Sequence, residues 1–463
     1  MHDQMNSAAR RQIPAVSTIL DALNHRGLPR PFVVEVVRRK LSEIRATNDV
    51  PGFESIVANI RRSLDELHAS RLKRIVNGTG IVIHTNFGRA PLASEAIRAL
   101  HEIGSGYSSL EYDLATGERG RRGGYVEAAL ALLCEAESAT VVNNCAAALV
   151  VIVNHFTNLN RRLNAKQRTE VIISRGELVQ IGGGFRVGEI LEASGANLRE
   201  IGATNKTTFE DYAHAIGPET AMILKVHRSN FFMGGFVESP SSKEISALAR
   251  KRRIAFVEDL GSGAMFATES LGIAEHEPTP AEVLKSGVDL VCFSGDKLFG
   301  GPQAGIIVGK KRLVTALKRE PLFRALRCDK LCLAALQTTV DLHLDQKIGE
   351  MPMIAVLKIS DDALRVRAVA ISASLQGLPA IIGIGRGRAK VGGGTLPSSN
   401  VSSVTIDIIP RNSSVAEFAA TLRASDPPVI GYIADERFKM DMRTIFPDQD
   451  DLVIKAIRAA CTK

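Results

Sequence analysis

Lys297 stands at the end of an apolar run, Val288 to Phe293, inside the stretch SGDKLFGGPQAG that runs from Ser294 to Gly305. A lysine carried to the end of a core strand loses hydration, which lowers its pKa and frees a neutral amine. Glycines and a proline clear bulk around it. Such an amine is a nucleophile toward an aldehyde, and this is how pyridoxal 5'-phosphate is held as a Schiff base. That cofactor makes two further demands. Its pyridine nitrogen needs a carboxylate to keep its proton, and Asp259 in FVEDLGSG ends another apolar run upstream of Lys297. Its phosphate needs free backbone N–H groups at a helix N-terminus. The segment VVNNCAAAL, Val141 to Leu149, turns through Asn143 and Asn144 into an alanine-rich helix start, which offers Asn144, Cys145 and Ala146 as the cradle. Each part alone has a plainer reading: a surface turn at GDK, a common DLG after a strand, a simple helix cap at NNCAAA. Together, in this order, they favour a pyridoxal-phosphate enzyme.

The elements that must position these residues can be read from periodicity. Between about residues 75 and 335, the runs SATVVNN, EVIISRG, AMILKVH, IAFVEDLG, VDLVCFSG and AGIIVG alternate with amphipathic segments such as SSKEISALARKRR. Most are apolar on both faces, as in a parallel sheet covered by helices. This predicts a doubly wound α/β domain whose ligand sits beyond the carboxyl ends of the strands. Before it, residues 1–74 read as a small helical bundle, with Pro31 at a first helical position and Phe32, Val36, Val37, Leu41 and Ile44 on one face. A second helix carries Ile56, Ile60, Leu64 and Leu67, and NDVPG makes the turn between the two. After it, residues 341–463 predict a small α+β domain with mostly antiparallel strands, in NVSSVTIDII and PVIGYIADERFKMDM, and a helix from Val415 to Ala424. GIGRGRAKVGGG reads as a loop before a strand. The predicted division is thus 1–74, 75–340 and 341–463.

Composition narrows the class. Of 463 residues, 45% are hydrophobic and 23% charged, which fits a soluble globular protein. No apolar run is long enough to span a membrane, and MHDQMNSAARRQ lacks the apolar stretch of an export signal. The six cysteines form no CxxC pair and no metal-ligand spacing with histidine, so no metal site is expected and a reducing cytoplasm fits. Residues 1–74 hold 13 Lys/Arg against 8 Asp/Glu. A basic helical module suggests an anionic partner such as RNA, and a solvated helix face remains the alternative.

Longer motifs add a resemblance. RIVNGTGIVIHTNFGRAPL (Arg74 to Leu92), GYSSLEYDLATGERG (Gly106 to Gly120), SRGELVQIGGGFRV (Ser174 to Val187), KVHRSNFFMGGF (Lys225 to Phe236) and FSGDKLFGGPQAGIIVGKK (Phe293 to Lys311) resemble the bacterial selenocysteine synthase family. So do RQIPAVSTIL, LFRALRCDKLCLAAL, VGGGTLP and DMRTIFP, and the resemblance covers nearly the whole chain. It implies a fold-type-I pyridoxal-phosphate transferase in which Lys297 is the Schiff-base lysine and Asp296 its acidic neighbour. Arg89, Arg324 and Arg327 match arginines placed around the selenium donor, and Thr204 matches a retained threonine. The implied reaction starts from serine esterified to tRNA(Sec). Water is eliminated to an aminoacrylyl intermediate, and selenium from selenophosphate adds to the β-carbon, with Lys297 shuttling protons. The implied assembly is a homodecamer, a ring of five dimers. The residues themselves place Arg324 and Arg327 three apart on one helix face, suited to a phosphate-like dianion or else simply solvated.

Departures from the family pattern are local. RGRRGGYVE (Arg119 to Glu127) has Tyr125 where the family has histidine, and Gly123 and Gly124 in place of larger residues. Ala203 replaces a threonine and Cys145 an asparagine. Glu177 and Arg175 follow a strand, where a side chain could stack on the cofactor ring or only make a turn. His84 and His227 end apparent strands and read equally as structural. Two other functions stay open: a related lyase acting on a free amino acid or amino sugar, and a catalytically inactive tRNA-binding homologue.

Overall fold

The computed structural model describes residues 13–23, 27–47, 50–162 and 168–462. MHDQMNSAARRQ, and Asn48 and Asp49 of NDVPG, lie outside the described residues. The chain divides between Arg74 and Ile75 into two compact units.

The first unit contains helices Val16–Leu23, Arg30–Ala46 and Phe53–Ala69. Ile19, Leu23, Val33, Val36, Val37, Leu41, Ile56, Ile60 and Leu64 form its buried core. Helical spacing explains this choice, since these positions recur every three or four residues on facing stripes. Phe32 departs from the sequence reading: it is 54% exposed and Val33 is buried in its place. The helix begins at Arg30, one residue before Pro31, which shifts the start of the buried stripe.

The second unit is built on a seven-stranded sheet. Its strands lie in the order Ser138–Val142, Gly305–Gly309, Leu290–Ser294, Ala255–Gly261, Thr220–Val226, Glu170–Ser174, Asn197–Ile201. Only Gly305–Gly309 runs against the others, pairing antiparallel with both neighbours. Leu290–Ser294 and Gly305–Gly309 are buried along their whole length. Helices cover both faces, as the apolar runs demand. Helix Ser242–Arg252 starts on a reciprocal capping box, Ser241 with Glu244, which fixes where that strand-to-helix crossover turns. Asn197–Ile201 was not among the predicted strands. Its residues are mostly exposed and include Arg199 and Glu200, so as an edge strand it has no apolar run to announce it.

A second sheet has four antiparallel strands, Ala380–Lys390, Asn400–Pro410, Arg437–Asp441 and Tyr432–Ala434 in that order. Helices Asp361–Ser374, Val415–Arg423 and Asp450–Cys461 pack on it around Leu364, Ile406, Ile408, Phe418 and Phe438. The glycine-rich stretch from Gly383 to Lys390 is therefore strand and not loop. A β-carbon on Gly385 would lie 2.6 Å from Thr405 Oγ1, and one on Gly387 would lie 2.7 Å from Asp441 Oδ2. The glycines leave room for polar side chains of the next two strands, Thr405 and Asp441, which strand propensity does not reveal. The expected boundary at 340/341 falls inside helix Lys330–Leu344.

Candidate active site

Three loops at the carboxyl ends of the sheet strands meet at one cavity of about 230 Å³. Its wall includes Arg89, Asn144, Cys145, Ala146, Asp259 and Lys297. Each is delivered by a local device. Asn144 caps helix Cys145–Arg162, its Oδ1 accepting from Ala147 N–H at 2.8 Å. The N–H groups of the first helical turn, those of Cys145 and Ala146 included, have no partner within the helix and belong to its positive end. A β-carbon on Gly305 would come within 2.1 Å of the Asn144 carbonyl, so only glycine on that strand lets the helix start sit so close.

Asp259 lies near the end of Ala255–Gly261 and is 7% exposed. Its Oδ1 accepts from Gly261 N–H at 3.0 Å and from the Cys145 thiol at 3.4 Å. Burial pushes its pKa up, against the opposing pull of the Lys297 charge. Lys297 sits in the turn after Leu290–Ser294 and is 4% exposed. Its carbonyl accepts from Gly300 N–H, and the next N–H, of Leu298, donates to Ser262 O, so the backbone around it is fixed on both sides. Burial lowers the amine's pKa most strongly, with Arg89 adding to that. The glycines around the amine have a steric reason. A β-carbon on Gly394 would lie 3.2 Å from Lys297 Nζ, and one on Gly261 would lie 3.6 Å away. Both residues have positive φ, which favours glycine.

Asp296 is held by Arg89, whose Nη1 reaches both its carboxylate oxygens at 3.0 and 2.8 Å. Arg89 itself adopts φ of 65°, at the end of a turn in which His84 Nδ1 accepts from Asn86 N–H and the His84 ring stacks on Phe87. His84 is thus held inside its own turn. His227 lies 3.2 Å from Glu277, and its N–H donates to the Asp259 carbonyl.

The remaining predicted residues lie elsewhere in this chain. Helix Pro321–Ala325 ends before Arg327, with Leu326 as its cap, so Arg324 and Arg327 do not share a helix face. The segment is too short because Asp329 already caps the next helix. Arg324 is exposed. Arg327 lines a separate cavity of about 310 Å³ with Arg121, Arg122 and Lys318, and lies 3.6 Å from Glu111. Thr204 is exposed, and its carbonyl would lie 2.5 Å from a β-carbon on Gly176. Arg175 to Glu177 form a short turn: Arg175 reaches out to Glu200, and buried Glu177 accepts from Val226 N–H. Desolvation raises the Glu177 pKa to about 7. Ser294, Gln303, Gly182 and Val187 also line the Lys297 cavity and were not singled out from sequence. All four stand within the long quoted motifs, but nothing in their type announces a contact.

Comparison with known proteins finds relatives over nearly the whole chain. The family described as L-seryl-tRNA selenium transferase matches residues 75–446, which contain every cavity residue. The L-seryl-tRNA(Sec) selenium transferase of Geotalea daltonii is 42% identical over 97% of this chain and 98% of its own length. That of Aquifex aeolicus is 39% identical over 97% and 98%. Among solved structures, D-glucosaminate-6-phosphate ammonia-lyase superposes with a TM-score of 0.59 at 18% identity, covering 87% of this chain and 98% of that one, a likeness of fold. The α/β unit with its single reversed strand and antiparallel second sheet is the fold-type-I architecture of pyridoxal-phosphate enzymes, and the chain belongs to the L-seryl-tRNA selenium transferase family.

Proposed function

We propose that this enzyme converts L-seryl-tRNA(Sec) to L-selenocysteinyl-tRNA(Sec) with selenophosphate as donor, using pyridoxal 5'-phosphate held at the Lys297 cavity. The observation that carries this reading is the meeting of a buried amine, a buried carboxylate and a helix N-terminus around one space of about 230 Å³. The residues fit the cofactor. The N–H groups of Cys145 and Ala146, with Asn144, would hold its phosphate. Asp259 would pair with its ring nitrogen and Lys297 with its aldehyde carbon, and the amine's immediate surroundings are cleared by Gly261 and Gly394. Bound there, the cofactor supplies an electron sink that makes the serine Cα–H acidic and lets the β-hydroxyl depart.

The chain's own groups do the rest. Lys297, whose burial makes its amine easier to deprotonate, would take and return the proton at the serine α-carbon. Asp259 would keep a proton on the cofactor's ring nitrogen, which a neutral neighbour would not. The Arg89–Asp296 ion pair anchors the turn that carries Lys297. Arg89, Arg324 and Arg327 are assigned to selenophosphate and Thr204 to the substrate side. Arg324 and Arg327 do not line the Lys297 cavity of their own chain, which is consistent with a homo-oligomer, a ring of five dimers, in which sites are completed between subunits. Tyr107 and Leu114, fully or largely exposed within the segment 106–127, fit such an interface. Among the described residues no helix is long and apolar enough to cross a membrane, and a cytoplasmic location is part of this proposal.

Residues 1–74 are assigned as the tRNA-binding domain, 75–340 as the cofactor-binding domain and 341–463 as the small domain. The decisive experiment compares selenium transfer to seryl-tRNA(Sec) with transfer to free serine. Product from the charged tRNA alone is expected, and equal use of free serine would favour a lyase for small substrates. Deleting residues 1–70 is expected to leave cofactor bound while sharply weakening tRNA(Sec) binding. Since phosphate contacts release counterions, the intact enzyme should lose tRNA affinity steeply with salt and the truncated one less so. Identical salt slopes would move the RNA site to another part of the chain.

Arg327→Ala is expected to weaken selenophosphate use about 10- to 150-fold, the range for a lost charge-assisted hydrogen bond, with seryl-tRNA binding little changed. Steady-state kinetics in selenophosphate, beside filter binding of the tRNA, make this test. An equal loss of tRNA affinity would assign Arg327 to RNA.

A further inference from the structure

At the opposite end of the main sheet lies a cavity of about 470 Å³ that the reaction does not use. It opens where Ala255 and Phe256 begin their strand, where Asp289 precedes Leu290 and where Lys310 follows Gly309. Asp259 lies ~13 Å along the same strand from Ala255, at ~3.3 Å per residue. Arg168, Arg250, Arg253, Lys310 and Arg312 line it, with Asp289 as the only Asp or Glu on its wall among the described residues. Asp289 is already committed, to the Lys310 ammonium and to Phe256 N–H. Arg250, Arg253 and Arg312 form no ion pair with a carboxylate among the described residues.

Two features point to a ligand. Ser246 is 3% exposed, and its hydroxyl on the cavity wall has no hydrogen-bond partner. Buried hydroxyls are nearly always paired, so this one lacks an acceptor. Arg250 Nη2 and Ser246 Oγ lie 3.0 and 3.5 Å from where a β-carbon on Gly287 would be, so a side chain there would crowd both groups. The dipole of helix Ser242–Arg252 accounts for a cation at Arg250, in its last turn, but not for cations brought from other segments. Arg253 holds φ of 60° at that helix's C-cap, where glycine or asparagine is usual.

We propose that this cavity is a second anion site that binds a compact oligophosphate, as free pyrophosphate or as the phosphate tail of a nucleotide. Several guanidinium forks around one concavity match the charge and geometry of linked phosphates. Ser246 and the cations line a hollow, which a small anion enters and the convex backbone of an RNA helix does not. The apolar wall, with Phe156 and Leu313, is where a nucleobase would lie.

The test is calorimetric titration of the full-length holoenzyme with pyrophosphate, and separately with ADP. At least one is expected to bind, and tighter ADP would assign the nucleotide as the source. Arg250→Ala/Arg253→Ala/Arg312→Ala should weaken binding by about 100-fold or more and Ser246→Ala by roughly 2- to 10-fold. The corresponding triple lysine variant should keep most of the affinity, which separates lost charge from lost fold. Arg324→Ala/Arg327→Ala should bind as wild type does. No binding by the wild type, or binding lost with Arg324 and Arg327 but not with the cavity arginines, would overturn the proposal. So would a triple alanine variant that loses seryl-tRNA affinity while neither small anion binds the parent, which would make the cavity an RNA contact.

Discussion

Lys297→Ala is expected to yield a folded protein without the visible absorbance of the holoenzyme and without measurable selenium transfer. The side chain is proposed both to hold the cofactor and to move the α-proton, so two functions fail together. Loss of the proton-transfer role alone typically costs about 10²–10⁴ in rate. The fold should survive, because the turn is held by backbone hydrogen bonds of Lys297 and Leu298 that alanine keeps. Removing the amine also removes the charge that draws the Asp259 pKa down, so burial would push that carboxyl still higher. An unchanged visible spectrum in a variant that melts like the wild type would exclude Lys297 as the anchor.

Asp259→Asn should separate binding from chemistry. The asparagine can still accept from Gly261 N–H and the Cys145 thiol, so the local geometry and cofactor occupancy should be retained. What disappears is the negative charge that keeps a proton on the ring nitrogen. Elimination of water should then slow by several orders of magnitude, since an unprotonated ring is a poor electron sink. Stopped-flow observation of the elimination step, with cofactor content measured in parallel, would show this. Turnover near that of the wild type would mean another group protonates the ring.

Lys297 and Asp259 were legible because each follows an apolar run that can only be a buried strand, and a charged residue there is costly unless used. Asn144 was legible as a helix cap for the same kind of local reason. The glycines around Lys297 were visible as a cluster, but their purpose was not. Gly394, from the second sheet's connecting loop, and Gly261 face Nζ, whereas Gly295, Gly300 and Gly301 of the lysine's own segment make room for other atoms. Gly385 and Gly387 misled, since glycine-rich sequence suggests a loop and nothing local shows that Thr405 and Asp441 need the space.

The sequence by itself determined six of the seven strands of the main sheet, the long motifs of the family, and the strand-end position of the amine and the carboxylate. These depend on periodicity and on chemistry confined to a few neighbouring residues. Only the tertiary structure decided that Arg89, Asn144, Asp259 and Lys297 share one cavity while Arg324 and Arg327 stand apart from it. It alone placed Arg89 on Asp296 and left Ser246 unpartnered beside Arg250. These relations join residues far apart in the chain. They are set by how strands cross over in the sheet and how closely backbones approach, and no local pattern encodes them.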